Sequence, residues 1–509
     1  MLTTLLLLLA PVQQLDAVAD TLRASKDKST YENGAYGAAK ELADMRSVEA
    51  MELRLELFDE KEDAYRGVYL RDWFYSGYLK AESREEGDLM LEEAANKKAS
   101  AWHRVLLLRA LGKSQAKVSG KLLLDKAFDK APEDVRREWS ATAGILMAEG
   151  RVDYSTLKRK EGVTGESLVR ARIMDSPYLH GAAFFKEIED VEAELIGKAA
   201  TSSKASAGDQ AAYLRILGSH EEWHHFLENR APQIFANPAC APRSAFLDTA
   251  VENRIVTLTP ALITALLDEA KRTPNRFTGD IGSALRALTG QGFGDSPELW
   301  QKWWNEAGEA WLEQARADGG KSGKVERRDR DTVARFFGLA VETSNVVLLV
   351  DGSGSMSTNK LGEETCANAA AVEAGKFLEQ LPKESLFQVI VIEPQPEVAF
   401  KKLMPATKGN RAKAVKFLQS RPYRSTSALL DALEAATVDP LVDTLILVSD
   451  GGSSAGKHQY SGHLLDSIQR LHESTGVRIH SVLVTDSTKH EKFMRELAEM
   501  TGGRMVRPE

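Results

Sequence analysis

Four Val/Ile/Leu-rich runs of strand length, at 345–350, 386–392, 443–448 and 478–484, alternate with helical patterns near 363–381, 409–419, 427–436, 462–474 and 489–500. A strand that is apolar on both sides must be covered on both faces, and the helices between the strands supply the cover and the crossovers. The pattern predicts a doubly wound α/β domain with a parallel sheet over 332–509.

The preceding residues, 19–318, follow a different period. Apolar residues recur at helical spacing, as in the Ala101–Leu111 stretch, and strand alternation is nearly absent, which predicts an all-α region. Similar Leu-Arg-x-Leu-Gly segments begin at Leu108, Leu214 and Leu285, the last with an extra Thr before its glycine. Their spacing fits three and two units of about 35 residues, the range of stacked helical hairpins. A HEAT-like solenoid is therefore expected, with Gly77, Gly150, Gly181 and Asn253 as left-handed helix ends between the units. Trp300, Trp303, Trp304 and Trp311 follow Pro297 at helical spacing and read as the apolar face of the last helix. Residues 319–331 are rich in Gly and charge without an apolar period, as expected of a solvated linker.

At 509 residues the chain exceeds one hydrophobic core, and its 43% hydrophobic and 28% charged composition is that of a globular protein. A formal charge of -8 gives no electrostatic reason to approach nucleic acid or anionic lipid. The two cysteines, Cys240 and Cys366, fall in different regions and are expected as buried free thiols. The Leu5–Leu9 run has the length of a secretory core segment, so residues 1–18 are expected as a signal peptide and the protein as periplasmic or secreted, and otherwise cytoplasmic. No other stretch has the length of an integral membrane span.

In a doubly wound sheet, ligands sit beyond the carboxyl ends of strands where the strand order reverses. The first run ends in Asp351-Gly352-Ser353-Gly354-Ser355, and the third ends in Ser449-Asp450-Gly451-Gly452. Thr426 is expected at the N-cap of the helix 427–436, with its hydroxyl toward the same crevice. Asp351, Ser353, Ser355, Thr426 and Asp450 would then offer two carboxylates and three hydroxyls, with no thiolate and no obvious imidazole. This set of hard oxygen donors favours Mg²⁺, with Mn²⁺ as a substitute, and leaves a coordination position for a carboxylate from outside.

These residues resemble the metal-ion-dependent adhesion site of von Willebrand factor A domains. The resemblance covers about 332–509, and it implies that the serines and threonine ligate the ion while the aspartates act directly or through water. It further implies a protein partner that supplies an Asp or Glu, in a binding protein and not an enzyme. Arg335–Val341, Leu288–Gly294 and the Trp303–Trp304 pair are similar to bacterial proteins that place such a domain after HEAT-like repeats. The sequence departs from the family at Tyr423-Arg424-Ser425, where many relatives carry paired glycines, so the reach of Thr426 is open.

Other chemistries fit less well. A phosphoryl-accepting aspartate needs a second acid two residues on, where Ser353 stands. Neither Ser353 nor Ser355 has the flanking glycines of a hydrolase elbow. His220-Glu221-Glu222-Trp223-His224 satisfies H-E-x-x-H and offers an alternative, a zinc hydrolase with Glu221 as base. Against it stand a helix boundary at Gly218-Ser219, the charge of Glu222 and the lack of a third ligand better than Glu228. A third reading is a chaperone-like assembly component.

Overall fold

The computed structural model describes residues 14–24, 33–58, 64–157, 163–272, 275–317, 334–424, 426–485 and 488–508. Most of the expected signal segment and all of the expected linker lie outside them. A helix-rich region precedes a C-terminal α/β domain, and packing divides the chain into two compact units, 1–192 and 193–509. The helices from Ala207 onward thus pack in one unit with the α/β domain, whereas the sequence pattern grouped them with the earlier helices.

In the first unit, helices follow one another from Asn33–Asp44 to Gly165–Met174. Their starts are set by capping hydroxyls. Ser47 accepts from Ala50 N, Ser100 from His103 N, and Ser83 forms a reciprocal capping box with Glu86. Helices two apart in the chain pack together, Asn33–Asp44 on Ala64–Tyr78 and Ala101–Lys113 on Glu133–Ala148. Of the four expected helix ends, only Gly150 is left-handed; beyond Asn253 the left-handed residue is Arg254. Gly77 and Gly181 are needed for another reason, close approach. A Cβ at Gly77 would lie 2.5 Å from Nε of Arg54, and one at Gly181 would lie 2.4 Å from the carbonyl of Ser140.

His103 is buried in this unit, stacked on Phe58 with 3.7 Å between ring centroids and with Nε2 3.4 Å from the Tyr78 hydroxyl. Burial pushes its imidazole down to about 3 from the ordinary 6.5, so the folded state holds it neutral. The unfolded chain therefore takes up this proton first, and stability present above the unfolded value is lost as pH falls from 6.5 toward 3. Denaturant titrations at stepped pH should show about 3–5 kcal/mol lost through this group across that window. A His103→Leu variant should lack that component, and an unchanged acid limb in the variant would contradict the assignment.

In the second unit the helices used below are α1 (Ala207–Gly218), α2 (His224–Ala236), α3 (Cys240–Glu252), α4 (Thr259–Ala270) and α5 (Arg276–Thr289). The tryptophan-rich segment is an α-helix, Pro297–Trp303, a π-turn, Trp304–Gly308, and a second α-helix, Glu309–Ala317. Trp300 alone of its four indoles is fully buried, and its Nε1 donates to the carbonyl of Gly294 at 2.8 Å. The aromatic face packs largely on itself, with Trp303 edge-to-face against Trp300, Trp304 and Trp311.

The α/β domain contains strands β1 (Asn345–Asp351), β2 (Leu386–Ile392), β3 (Glu397–Val398), β4 (Met404–Pro405), β5 (Thr444–Ser449), β6 (Arg478–Leu483) and β7 (Met505–Val506). Sheet order is β4-β2-β1-β5-β6-β7, with β3 pairing β2. β2, β1, β5, β6 and β7 are parallel; β3 and β4 run antiparallel to β2. Alternation along β1 serves two cores. Val346, Leu348 and Val350 face α6 (Cys366–Gln380) and α7 (Lys408–Gln419), while Val347 and Leu349 face α8 (Leu429–Ala436), α9 (Ser461–Thr475) and α10 (Thr488–Met500). Cys240 and Cys366 are both free and buried, as the sequence suggested.

At the amino ends of the strands, α3 and α5 are fastened to the sheet by a buried polar network. Arg276 donates to the carbonyls of Asp443 at 2.7 Å and Gly476 at 2.8 Å, and its Nε pairs with Asp280 at 2.7 Å. Asp280 also pairs with Arg478. The Asp443 carboxylate accepts from Thr343, from the backbone N–H groups of Ser344 and Asn345, and from Thr444. Among the described residues no helix is long and apolar enough to cross a membrane.

Candidate metal centre

The site is built where β1 and β5 lie side by side. Their register pairs Val350 with Val448, so the loops that leave both strands open at the same edge. Sheet order reverses at this point, because β2 follows β1 on one side and β5 on the other. Gly352 is required there: its N–H donates to the carbonyl of Ile392, and a Cβ would come within 2.7 Å of that oxygen.

Asp351 is 2% exposed. Its Oδ1 accepts from the Ser353 N–H at 2.8 Å and its Oδ2 from the Ser449 hydroxyl at 2.6 Å. The Oγ atoms of Ser353 and Ser355 stand 2.9 Å apart, and Ser355 opens the single turn Ser355–Thr358. Asp450, also buried, accepts from Nδ2 of Asn359 at 2.8 Å. Burial pushes the Asp351 carboxyl up to about 6 from 3.8; the neighbouring Asp450 charge adds to the rise, and the bonds from Ser449 and Ser353 oppose it.

Thr426 does not cap a helix. Helix α8 begins two residues later than expected, with Ala428 at the N-cap. Its first N–H, that of Leu429, is instead met by the Ser453 hydroxyl at 3.2 Å, which comes from the loop after β5. The physical reason is a local zipper: Ser427 N–H donates to the Ser454 hydroxyl, and the N–H groups of Ser454 and Ala455 donate to the Ser427 carbonyl. This zipper holds the chain just after Thr426 against the β5 loop. Just before it, the Tyr423 carbonyl accepts from the Ser357 hydroxyl at 3.0 Å, and a Cβ at Gly354 would stand 3.8 Å from Cα of Arg424. Thr426, half-buried, thus lies on the stretch that runs from the Gly354–Ser357 turn to the 452–455 loop. Ser453→Ala should destabilise α8 by about 1 kcal/mol, measured by urea denaturation, since the cap is lost; an unchanged midpoint would contradict the cross-loop cap.

Three participants escaped the sequence. Ser449 and Asn359 each hold one of the two carboxylates, and His490 on α10 packs over the Gly451-Gly452 turn, with Cδ2 3.3 Å from where a Gly451 Cβ would stand. His490 was not foreseen because it stands forty residues from Asp450 in the chain. Ser449 was the readable one, since it directly precedes Asp450. Cys366 is close but inert: its thiol bonds to the Val484 carbonyl, and burial together with the Asp450 charge pushes it up to about 11.

The donor set suits a hard divalent cation. Two buried carboxylates face each other's charge beside a hydroxyl pair, an arrangement that a cation relieves and a thiophilic metal would not select.

The H-E-x-x-H segment does not form a metal-binding helix face. His220 is extended, Glu221–Trp223 is a 3₁₀ turn, and α2 begins only at His224. The rings point to different carbonyls, His220 Nδ1 to Ile216 at 3.0 Å and His224 Nε2 to Gly218 at 2.9 Å. Among the described residues no three-ligand cluster of His, Cys, Asp or Glu includes either histidine.

Residues 344–506 match the family model of the von Willebrand factor type A domain. Among solved structures the chain is similar to a von Willebrand factor type A protein from Catenulispora acidiphila, with 19% identity, 33% of this chain and 39% of that one covered, and a TM-score of 0.27. It is similar to the manganese-loaded TRAP protein of Plasmodium vivax, with 16% identity, 30% and 62% covered, and a TM-score of 0.24. It is also similar to the RO (RSR) protein of Deinococcus radiodurans, with 14% identity, 97% and 87% covered, and a TM-score of 0.21. No curated protein matches the chain.

Proposed function

We propose that the A-type domain holds one divalent cation, Mg²⁺ or in its place Mn²⁺, and uses it to capture an Asp or Glu of a protein partner. The residues that would hold it are Asp351, Ser353, Ser355, Thr426 and Asp450. The observation that carries this reading is the meeting of Asp351, the Ser353–Ser355 hydroxyl pair and Asp450 at the ends of two adjacent parallel strands. When bound, a hard cation supplies a positive point to which an outside carboxylate attaches.

The chain's own residues do the rest. Ser449 and the Ser353 N–H orient Asp351, and Asn359 orients Asp450. The Ser427–Ser454 zipper fixes the approach of Thr426. The role is binding, in keeping with A-type domains generally, and the helical region, as HEAT-like repeats, acts as the scaffold that presents the domain.

The test is the thermal response to Mg²⁺ of the whole chain. The parent should gain several degrees at millimolar Mg²⁺, because an ion that binds only the folded state stabilises it by mass action. Asp450→Ala and Asp351→Ala should gain nothing. An equal gain in parent and both variants would remove the site assignment.

A further inference from the structure

The charge of the α/β domain is unevenly spread. From Lys401 to Arg424 the chain carries eight basic residues and no acidic one, in a protein whose formal charge is -8. This stretch follows one flank of the domain. β4 pairs with the amino end of β2, α7 comes next, and the Tyr423 carbonyl then accepts from the Ser357 hydroxyl in the turn beside the metal centre. The basic flank therefore begins at the far edge of the sheet and ends at the rim of the proposed cation site, where Arg424 is exposed.

Part of this charge is already used. Arg411 donates to the carbonyls of Glu379 and Leu381, and Arg421 is held by both Glu393 and Glu397. That trio keeps one negative charge, which Arg424 offsets, so the rim end is neutral. Lys401, Lys402, Lys408, Lys413 and Lys416 differ: all five are exposed, and none has an ion-pair partner among the described residues. On α6, which packs against α7, Glu373 is paired with Lys376 and Glu379 is exposed. Lys383 and Glu384, both exposed before β2, cancel. One exposed glutamate against five free lysines leaves the flank positive.

Edge protection explains only part of this, because lysines that discourage pairing with an edge strand would be Lys401 and Lys402 beside β4. Lys408, Lys413 and Lys416 instead fan over the face of α7 opposite the buried Ala414 and Leu418. An exposed helix can offset such charge with acids one turn away, as α10 does in the pairs Lys492–Glu496 and Arg495–Glu491. α7 contains no acid at all, so its lysines are free for charge from outside. The flank exposes no aromatic ring on which a base could stack, and the apolar side of α7 is buried in the core, away from any lipid surface.

We infer that the acid captured at the cation belongs to an acidic segment of the partner that continues along α7, its further carboxylates lying against Lys416, Lys413 and Lys408. This rests on the cation reading above. The helix is about 18 Å long, the span of about five or six extended residues.

The experiment is fluorescence anisotropy of two labelled eight-residue peptides with the whole chain, at moderate ionic strength, in Mg²⁺ and in chelator. One peptide is all glutamate; the other is serine with a single glutamate. In Mg²⁺ the all-glutamate peptide should bind about tenfold more tightly, and both peptides should weaken in chelator. Lys408→Gln, Lys413→Gln and Lys416→Gln combined, exposed changes that should fold, should erase most of that advantage and leave the single-acid peptide unaffected. Asp450→Ala should do the reverse, losing the Mg²⁺ gain of both peptides and keeping the lysine-dependent difference. Equal binding of the all-glutamate peptide by the parent and the triple variant would overturn the inference and leave the cation site standing. No Mg²⁺ gain in the parent would overturn the cation reading, while lysine-dependent binding in chelator would still support the basic flank as a docking surface. An eight-nucleotide single strand or a phosphatidylserine vesicle bound more tightly than the all-glutamate peptide in Mg²⁺ would overturn a protein segment as the occupant.

Discussion

Asp351→Asn should make the ion-free protein more stable while removing its response to Mg²⁺. The folded state holds this carboxyl at about 6 against an ordinary 3.8, so ionising it at neutral pH opposes folding. The sign follows from the raised value: the stabilising contribution of the neutral acid is complete below 3.8 and is lost as pH rises through 6. Above that range the amide should gain about 2–3 kcal/mol over the parent, and below about pH 4 the two should converge. The amide can keep both local bonds, accepting from Ser353 N–H and donating to the Ser449 hydroxyl. Urea denaturation in chelator at stepped pH measures the difference. A variant less stable than the parent at neutral pH would show that Asp351 is structural, not a carboxylate kept charged for a cation.

Arg276→Met should have the opposite consequence, a loss of about 3–5 kcal/mol. The substitution removes the buried guanidinium that donates to the carbonyls of both Asp443 and Gly476, and it takes that charged partner from Asp280. The large figure reflects the loss of one buried charged donor shared by a carboxylate and two carbonyls, and not the intrinsic strength of the pair. For comparison, Lys492→Ala, which breaks an exposed pair with Glu496, should cost less than about 0.5 kcal/mol. Equilibrium unfolding of both variants measures the contrast. A cost under about 1 kcal/mol for Arg276→Met would mean that α5 is not fastened to the sheet through this residue.

The α/β half was legible because its signal is local and periodic. Each apolar run needed two covered faces, and the run at 386–392 coincides with β2, while α7 and α10 begin within one residue of expectation. Asp351 and Asp450 were readable because one closes β1 and the other directly follows β5. Where reading failed, the determining contact was distant in sequence. Helix α8 starts late because Ser453, from another loop, supplies its cap, and Asn359 reaches Asp450 across ninety-one positions.

In the helical half, glycine was read as a helix terminator. Gly77 and Gly181 are instead points of close approach, a demand that depends on Arg54 and Ser140 and not on the local pattern. The fastening of α3 and α5 onto the sheet was hidden for the same reason. Arg276 and Asp280 look like an ordinary helical pair until Asp443, Gly476 and Arg478 are brought against them.

The central claim, that chain segments around 351–355, 426 and 450 form one cation site, is tested most directly by an anomalous difference map from crystals soaked in Mn²⁺. The expected result is a single peak in the crevice about 2.1 Å from the hydroxyl oxygens of Ser353, Ser355 and Thr426, with Asp351 and Asp450 reached directly or through water. A map with no peak there, or one whose peak is ligated without the Ser353–Ser355 pair, would contradict it.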